Sequence, residues 1–234
     1  MYHGLNLPPY LRRAMKWKQM DLEYAMWQMW LMCTNPKVVY RHTMYRKQTK
    51  NQWARDDPAV VVLTSILVFA TSSLYCCFFS KSFKHSVYVV ASAGLIDYVG
   101  LGALIATGYW FVSNRFLRTG VGHSHAIEQR VEWLYAFDVH CNAFFPLFLQ
   151  LYAAQLVLSP VLLAGGFIPR MLSCALYAVA LGYYQYCTFI GFNALPFLEA
   201  MLFLYPIAGV AFLAPMMCLF GFNPTKFVLG IYFG

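Results

Sequence analysis

Charge is what this sequence has least of. Asp and Glu number nine in 234 residues, Lys and Arg seventeen, and together they make up 11% of the chain, where soluble domains carry about 25%. A soluble domain of this length needs more charged surface to stay in water, so a water-soluble globular enzyme is excluded. Cysteine is present without pattern: the seven at positions 33, 76, 77, 141, 174, 187 and 218 show no paired spacing, and six lie in or beside apolar runs. That excludes a disulfide framework or a zinc knuckle, and the thiols read as small packing residues. Also missing are an HExxH motif and a DxD pair. No secretory signal peptide is read at the start, because residues 1–57 are polar and basic.

What is there is apolar sequence in long runs, 60% of the chain. About 20 consecutive apolar residues cross a bilayer as a helix, and five runs qualify: 59–79, 87–112, 139–158, 171–192 and 197–220. The predicted fold class is an all-α multi-pass membrane protein. Five spans fill residues 58–234, preceded at 1–57 by an N-terminal cytosolic amphipathic helical segment. Asp57 is a candidate N-cap for the first span, with Pro58 at its first position. Asn193 to Pro196 alone separate the last two spans, which predicts a tight hairpin. Pro206 and Pro215 predict a kinked last span. Lys and Arg fix the orientation. With the N-terminus cytosolic, thirteen of them fall on that side and four, Lys81, Lys84, Arg170 and Lys226, on the other. The C-terminus is then lumenal, and residues 113–138 lie at the cytosolic face.

The segment before the first span is too charged to cross a bilayer and too apolar to be a free tail. Met20 to Met32 predicts a helix of about 13 residues, in the interface or against the bundle, and Asn35-Pro36 ends it. Trp17, Trp27, Trp30, Arg46, Lys47, Lys50, Trp53 and Arg55 are the candidate partner or lipid surface. Basic residues there draw anionic lipids, by about 1 kcal/mol each near the surface. Trp17 and Trp53 lie among Lys and Arg, but no RNA-binding motif of the usual kinds accompanies them, so RNA is a weak candidate.

The chain's polar residues concentrate once, in "GVGHSHAIEQRVEWLYAFDVHCNAFFP" (120–146). A helix capped by Ser124 and running on into the third span, with a cytosolic portion at about 124–137, would align His125, Gln129, Glu132, Ala136 and His140. Asp138 and Asn142 would fall on the opposite side with Tyr135. Glu132 and His140 would then sit roughly 12 Å apart, too far to share a metal. Glu128, Glu132 and His140 are weak metal candidates, with His123 and His125 nearby, because one helix alone offers ligands. Asp97, about ten residues into the second span, is an intramembrane carboxylate that needs a partner or a water pocket. Glu132, Asp138, His140 and Asn142 complete the intramembrane or interfacial polar set. No catalytic residue and no cofactor site is read.

"VEWLYAFDVHCNAFFPL" (131–147), "YRKQTKNQWARDDPA" (45–59), "MDLEYAMWQM" (20–29), "TFIGFNALPFL" (188–198) and "LIDYVGLGALIATGYWFVSN" (95–114) resemble the signature blocks of the uncoordinated-fifty (Unc-fifty) family. The resemblance runs from about residue 5 to 223. It implies a five-span protein of the Golgi and early secretory pathway without enzymatic activity. Such proteins serve vesicle trafficking and the assembly of client receptor subunits such as nicotinic acetylcholine receptors, by recruiting Arf guanine-nucleotide exchange factors. RNA binding and an inner nuclear membrane location belong to the same set of expectations; a homo-oligomer is a separate expectation for this chain. Glu132, Asp138, His140 and Asn142 fit the family pattern, whereas His123-Ser124-His125 departs from it. The family's short aromatic and basic C-terminal tail has no counterpart after "FVLGIYFG". The alternative reading is a membrane-embedded enzyme or transporter using Glu128, Glu132, Asp138, His140 and Asp97, or a lipid-binding protein.

Overall fold

The computed structural model describes residues 9–80, 82–119 and 129–234. Among them the chain is helical throughout apart from short connections: α1 (Pro9–Ala14), α2 (Leu22–Thr34), α3 (Pro36–Lys50), α4 (Ala59–Phe79), α5 (Phe83–Phe116), α6 (Trp133–Leu162), α7 (Phe167–Asn193), α8 (Ala200–Leu219) and α9 (Pro224–Phe233). Four of these are long and apolar enough to cross a membrane: α4, α5, α6 and α8. The expected span at 171–192 does form a helix, the 27-residue α7, about 40 Å long at 1.5 Å per residue. Its polar and tyrosine-rich second half, Gln185 and Thr188 among Tyr183, Tyr184 and Tyr186, keeps it out of the apolar group.

Local chemistry explains the helix starts. Asp21 caps α2 by accepting the Tyr24 N–H at 3.0 Å. Pro36 opens α3, where its missing N–H costs nothing. Asp57 accepts from Ala59 N at 3.0 Å and, through its other oxygen, from Asp21 N at 2.9 Å. One carboxylate therefore ties the start of α4 to the start of α2.

Two helices change pitch inside the bundle. α5 winds as π-helix over Ala93–Gly100 and α6 over Leu149–Ala154. Pro146 precedes the second by three residues, where the missing N–H and the ring clash break α-helical pairing.

α6 is the central element, with every residue from Tyr135 to Pro146 buried. α5 and α7 pack along it, and α2 and α4 also touch it. Gly191 of α7 is needed there, since a Cβ would stand 2.8 Å from Val139 Cγ1.

At one end of the bundle, called here the docking end, the N-terminal segment meets the connections. Residues 117–119 and 197–199 pair through Thr119 N–H to Phe197 O at 2.9 Å and Glu199 N–H to Leu117 O at 2.8 Å. The predicted tight hairpin before α8 is thus a longer connection, 194–199, held by this bridge, and α8 begins at Ala200 rather than 197. At the far end lies α9, too short to have been read from the sequence. Asn223 bonds the Leu162 carbonyl at 2.9 Å, and Ser173 bonds Thr225 at 2.8 Å.

Candidate functional site

α2 buries Ala25, Gln28, Met29 and Met32 against the bundle, a stripe at i, i+3, i+4 and i+7. Its outer face is also apolar: Met26 is 59%, Trp27 42% and Trp30 68% exposed. The expected amphipathic helix is therefore apolar on two sides, one covered by the bundle and one open. Trp17 is exposed as well, and Trp27 lies against Tyr24 and the edge of His42.

The basic residues divide. Lys50 is exposed and pairs with Asp56 at 2.9 Å, while Arg46 and Lys47 are half-buried. Trp53 and Arg55, expected on the open surface, are buried, which corrects that assignment. Trp53 packs on Phe197 with Lys47 Nζ 5.5 Å from its ring. Arg55 stacks over Tyr24 at 5.1 Å.

Arg46, Lys50 and Arg55 line a polar pocket of about 320 Å³ with Arg13, Asp56 and Asp57. Its carboxylates are engaged: Asp57 by Asp21 and Ala59 N–H, Asp56 by Lys50 and Gln52. Among the described residues, Arg46 Nε and Nη1 and Arg55 Nη1 are buried without a hydrogen-bond partner. Burial pushes the Asp56 carboxyl up, but bonds from Lys50 and Gln52 and the charge of Lys50 and Arg13 outweigh it and hold it below its ordinary value.

The polar run of 120–146 is not one helix. Gln129 to Glu132 are non-helical and α6 starts at Trp133, so the predicted stripe from Gln129 through Glu132 to His140 does not form. His123, His125 and Glu128 fall outside the described residues, as do 124–128 of the cytosolic helix predicted at 124–137; of its remaining residues only 133–137 are helical, as the start of α6. Glu132 instead reaches the loop before α4, where Oε1 accepts from Trp53 N at 2.9 Å and Oε2 from Ala54 N at 3.0 Å. Asn114 fixes the same extended segment, bonding both the N–H and the carbonyl of Val131.

Asn142 accepts from Gln28 Nε2 inside the core. Asp138 is buried with Tyr10, Tyr40, Tyr135 and Cys141 in its electrostatic surroundings. Tyr40 lies outside the spans, and burial raises its hydroxyl well above the ordinary value. His140 Nδ1 meets the Tyr184 hydroxyl at 2.8 Å.

Among the described residues no three His, Cys, Asp or Glu side chains come together as metal ligands. Two members of the intramembrane set do converge, since Asp97 and His140 line one cavity; Glu132 and Asp138 do not line it. Asp97 Oδ2 accepts from the Tyr232 hydroxyl at 2.5 Å. Gln28 and Tyr232, which partner the polar set along with Tyr184, were not singled out in the sequence. Only a spare polar residue in an apolar helix could have flagged them.

The UNC-50 family profile matches residues 10–233. Among curated relatives, "Protein unc-50 homolog" of Dictyostelium discoideum is 46% identical over 230 residues, covering 97% of this chain and 88% of the relative. "Protein unc-50 homolog A" of Xenopus laevis is 44% identical over 225 residues (95% and 85%). The homologue of Homo sapiens is 43% identical over 231 residues (98% and 88%). No solved structure matches the chain.

Proposed function

The chain belongs to the UNC-50 family, and from that premise we propose that it is a non-enzymatic membrane adaptor of the Golgi and early secretory pathway. In this reading it recruits Arf guanine-nucleotide exchange factors and supports assembly and delivery of client receptor subunits. The carrying observation is the outer face of α2. Met26, Trp27 and Trp30 are open, yet the helix they stand on is locked to the bundle through Gln28 and Asn142. Exposed aromatic side chains on a rigid support suit a partner interface. Arg46 and Arg55, with unpaired guanidinium nitrogens, suit an anionic group beside it, as membrane lipids supply.

The proposed topology has five spans, α4 to α8, with α7 added to the four apolar ones. The Gly191 end of α7 meets Tyr135 at the docking end and its Ser173 end meets Thr225 at the far end, so it runs the length of the bundle. Surrounding helices cover its polar half, which removes the cost of facing lipid. The excess of Lys and Arg in the N-terminal segment supports a cytosolic docking end, with α9 on the lumenal side. α8, largely uncovered within the chain, is the span available to client helices or to a second copy.

Deleting residues 1–57 is a poor test, because it also strips cover from Asn142 and Glu132. Trp27→Ala with Trp30→Ala removes the open face alone. The expected result is co-precipitation of Arf exchange factors falling at least tenfold with thermal stability unchanged. Undiminished capture by that variant would refute the assignment.

A further inference from the structure

Four cations meet in one pocket because of how α3 ends. Arg46 and Lys50 stand one turn apart on it, on the same face. Asn51, at φ 54°, turns the chain back, so that Asp56 returns to Lys50 Nζ at 2.9 Å and brings Arg55 with it. Arg13 of α1 completes the group by donating from Nη1 to the Asp56 carbonyl at 3.1 Å. The enclosed volume is about 320 Å³, at the lower end of the range for small-ligand sites, about 300–1,000 Å³.

The charges in its wall do not cancel. The four cations face three carboxylates, Asp21, Asp56 and Asp57, and each carboxylate is engaged. Asp57 takes the Asp21 and Ala59 amides, Asp21 the Tyr24 amide, and Asp56 the Lys50 ammonium. Behind the wall Glu132 and Lys47 both stand at Trp53 and offset each other. Arg46 and Arg55 have no carboxylate within ion-pair distance among the described residues. Arg46 makes a single bond, to Thr43 Oγ1 at 3.2 Å. Arg55 is 7% exposed and lies over Tyr24, with Nη1 unbonded among the described residues. A guanidinium withdrawn from water without a counter-charge is costly, so the two arginines call for an anion from outside the chain.

Depth and charge identify the source. α4, Ala59–Phe79, has 21 residues, about 31 Å at 1.5 Å per residue, which matches a hydrocarbon core of about 30 Å. Arg55, Asp56 and Asp57 come immediately before it, at the level of lipid headgroups. A phosphate offers two oxygens to a guanidinium fork. The lining carries one positive charge over, which one phosphate cancels. A zwitterionic headgroup adds an ammonium and leaves that excess, while a polyphosphorylated one crowds negative charge against the three carboxylates. We propose that this pocket holds the phosphate of a singly charged anionic phospholipid from the leaflet at the docking end. Phosphatidylinositol and phosphatidylserine share that chemistry. The proposal rests on the anion-seeking role given to Arg46 and Arg55 above, and not on exchange-factor capture by Trp27 and Trp30.

The test uses the full chain in nanodiscs that mix phosphatidylcholine with phosphatidylinositol, phosphatidylserine and phosphatidylinositol 4-phosphate, and counts retained lipid by native mass spectrometry. The expected result is phosphatidylinositol or phosphatidylserine retained about tenfold above the other two, a ratio that one charge-assisted hydrogen bond can supply. Arg46→Gln and Arg55→Gln should each remove most of that preference. Lys37→Gln with Arg41→Gln, both exposed on α3 outside the pocket, should leave it unchanged. In phosphatidylcholine alone Arg46→Gln should melt with the wild type, because its Nε and Nη1 bond no described residue. Adding the retained lipid should then raise the melting temperature of the wild type and not of the variant. Equal retention of all four lipids, retention led by phosphatidylcholine or phosphatidylinositol 4-phosphate, or equal losses in the pocket and Lys37/Arg41 variants overturns the proposal. Stabilisation by inorganic phosphate equal to that by lipid overturns it in favour of a free anion. Pocket variants that keep the lipid but lose exchange-factor capture overturn it in favour of an acidic protein surface. Lipid lost with capture intact supports it and leaves the adaptor reading standing.

Discussion

The carboxylate of Glu132 holds the backbone of Trp53, 79 residues away in the chain, with Oε1 2.9 Å from its amide nitrogen. The second oxygen takes the next amide, Ala54, at 3.0 Å. A polar residue that looked like part of a cytosolic helix is thus a clasp between the N-terminal segment and the entry to α6. Both amides would otherwise be orphans beside a buried indole.

Glu132→Ala leaves those two N–H groups without acceptors. Bonds to a charged acceptor are worth about 1.5–3 kcal/mol net, and stranding buried donors adds to that, so a drop of about 2–4 kcal/mol is expected. Glu132→Gln keeps one acceptor oxygen and should lose about half as much. Thermal unfolding in nanodiscs, with tryptophan emission reporting Trp53, measures both.

Gln28 and Asn142 form a pair that should fail asymmetrically. Either residue changed alone to Leu leaves a buried amide unpaired, at about 1–3 kcal/mol. Changing both to Leu removes the polar atoms together. A double-mutant cycle should return a coupling of about 0.5–3 kcal/mol, with the double variant more stable than the sum of the single losses. Strict additivity would contradict the pairing.

Gly102 lets α5 lie directly on His140, and an added Cβ would overlap the imidazole ring. Gly102→Ala gains helix propensity, up to about 1 kcal/mol, but overpacking costs about 1–3 kcal/mol because Tyr184 restrains the ring. Net destabilisation is expected. Gly108→Ala, where a Cβ meets nothing within 4 Å, should be neutral or stabilising on the same melting assay.

Asp56 carries a pH dependence with a definite sign. Its folded pKa is lowered, despite the opposing effect of burial, by Lys50, Gln52 and Arg13. Its contribution is therefore complete above the unfolded value, about 3.9, and disappears as pH falls through the lower folded one. The stability gap between the wild type and Lys50→Met should close on titration from pH 6 to pH 3. The pair is partly exposed, so the gap itself is small, about 0–1 kcal/mol.

The apolar spans were legible because a run of about 20 apolar residues has few other uses. The break at Asn35-Pro36 was legible because Pro cannot continue a helix. Family membership was legible in the sequence blocks themselves. Other features were set by contacts across the fold. Glu132 sits in a sequence that reads as helical, yet two distant amides hold it in extended backbone. Trp53 and Arg55 read as surface from their types, but Phe197 and Tyr24 cover them. The meeting of Asp97 with Tyr232, 135 residues apart, has no local signal at all.

Amide hydrogen exchange of the full chain in nanodiscs tests most directly the claim that the N-terminal segment is built into the bundle. The amides of Gln28 to Met32 should exchange as slowly as those of Tyr135 to Ala143, and Glu132→Ala should speed the former far more than the latter. Exchange of α2 at the rate of a free peptide, or no response to Glu132→Ala, would contradict the account and detach the tryptophan face from its support.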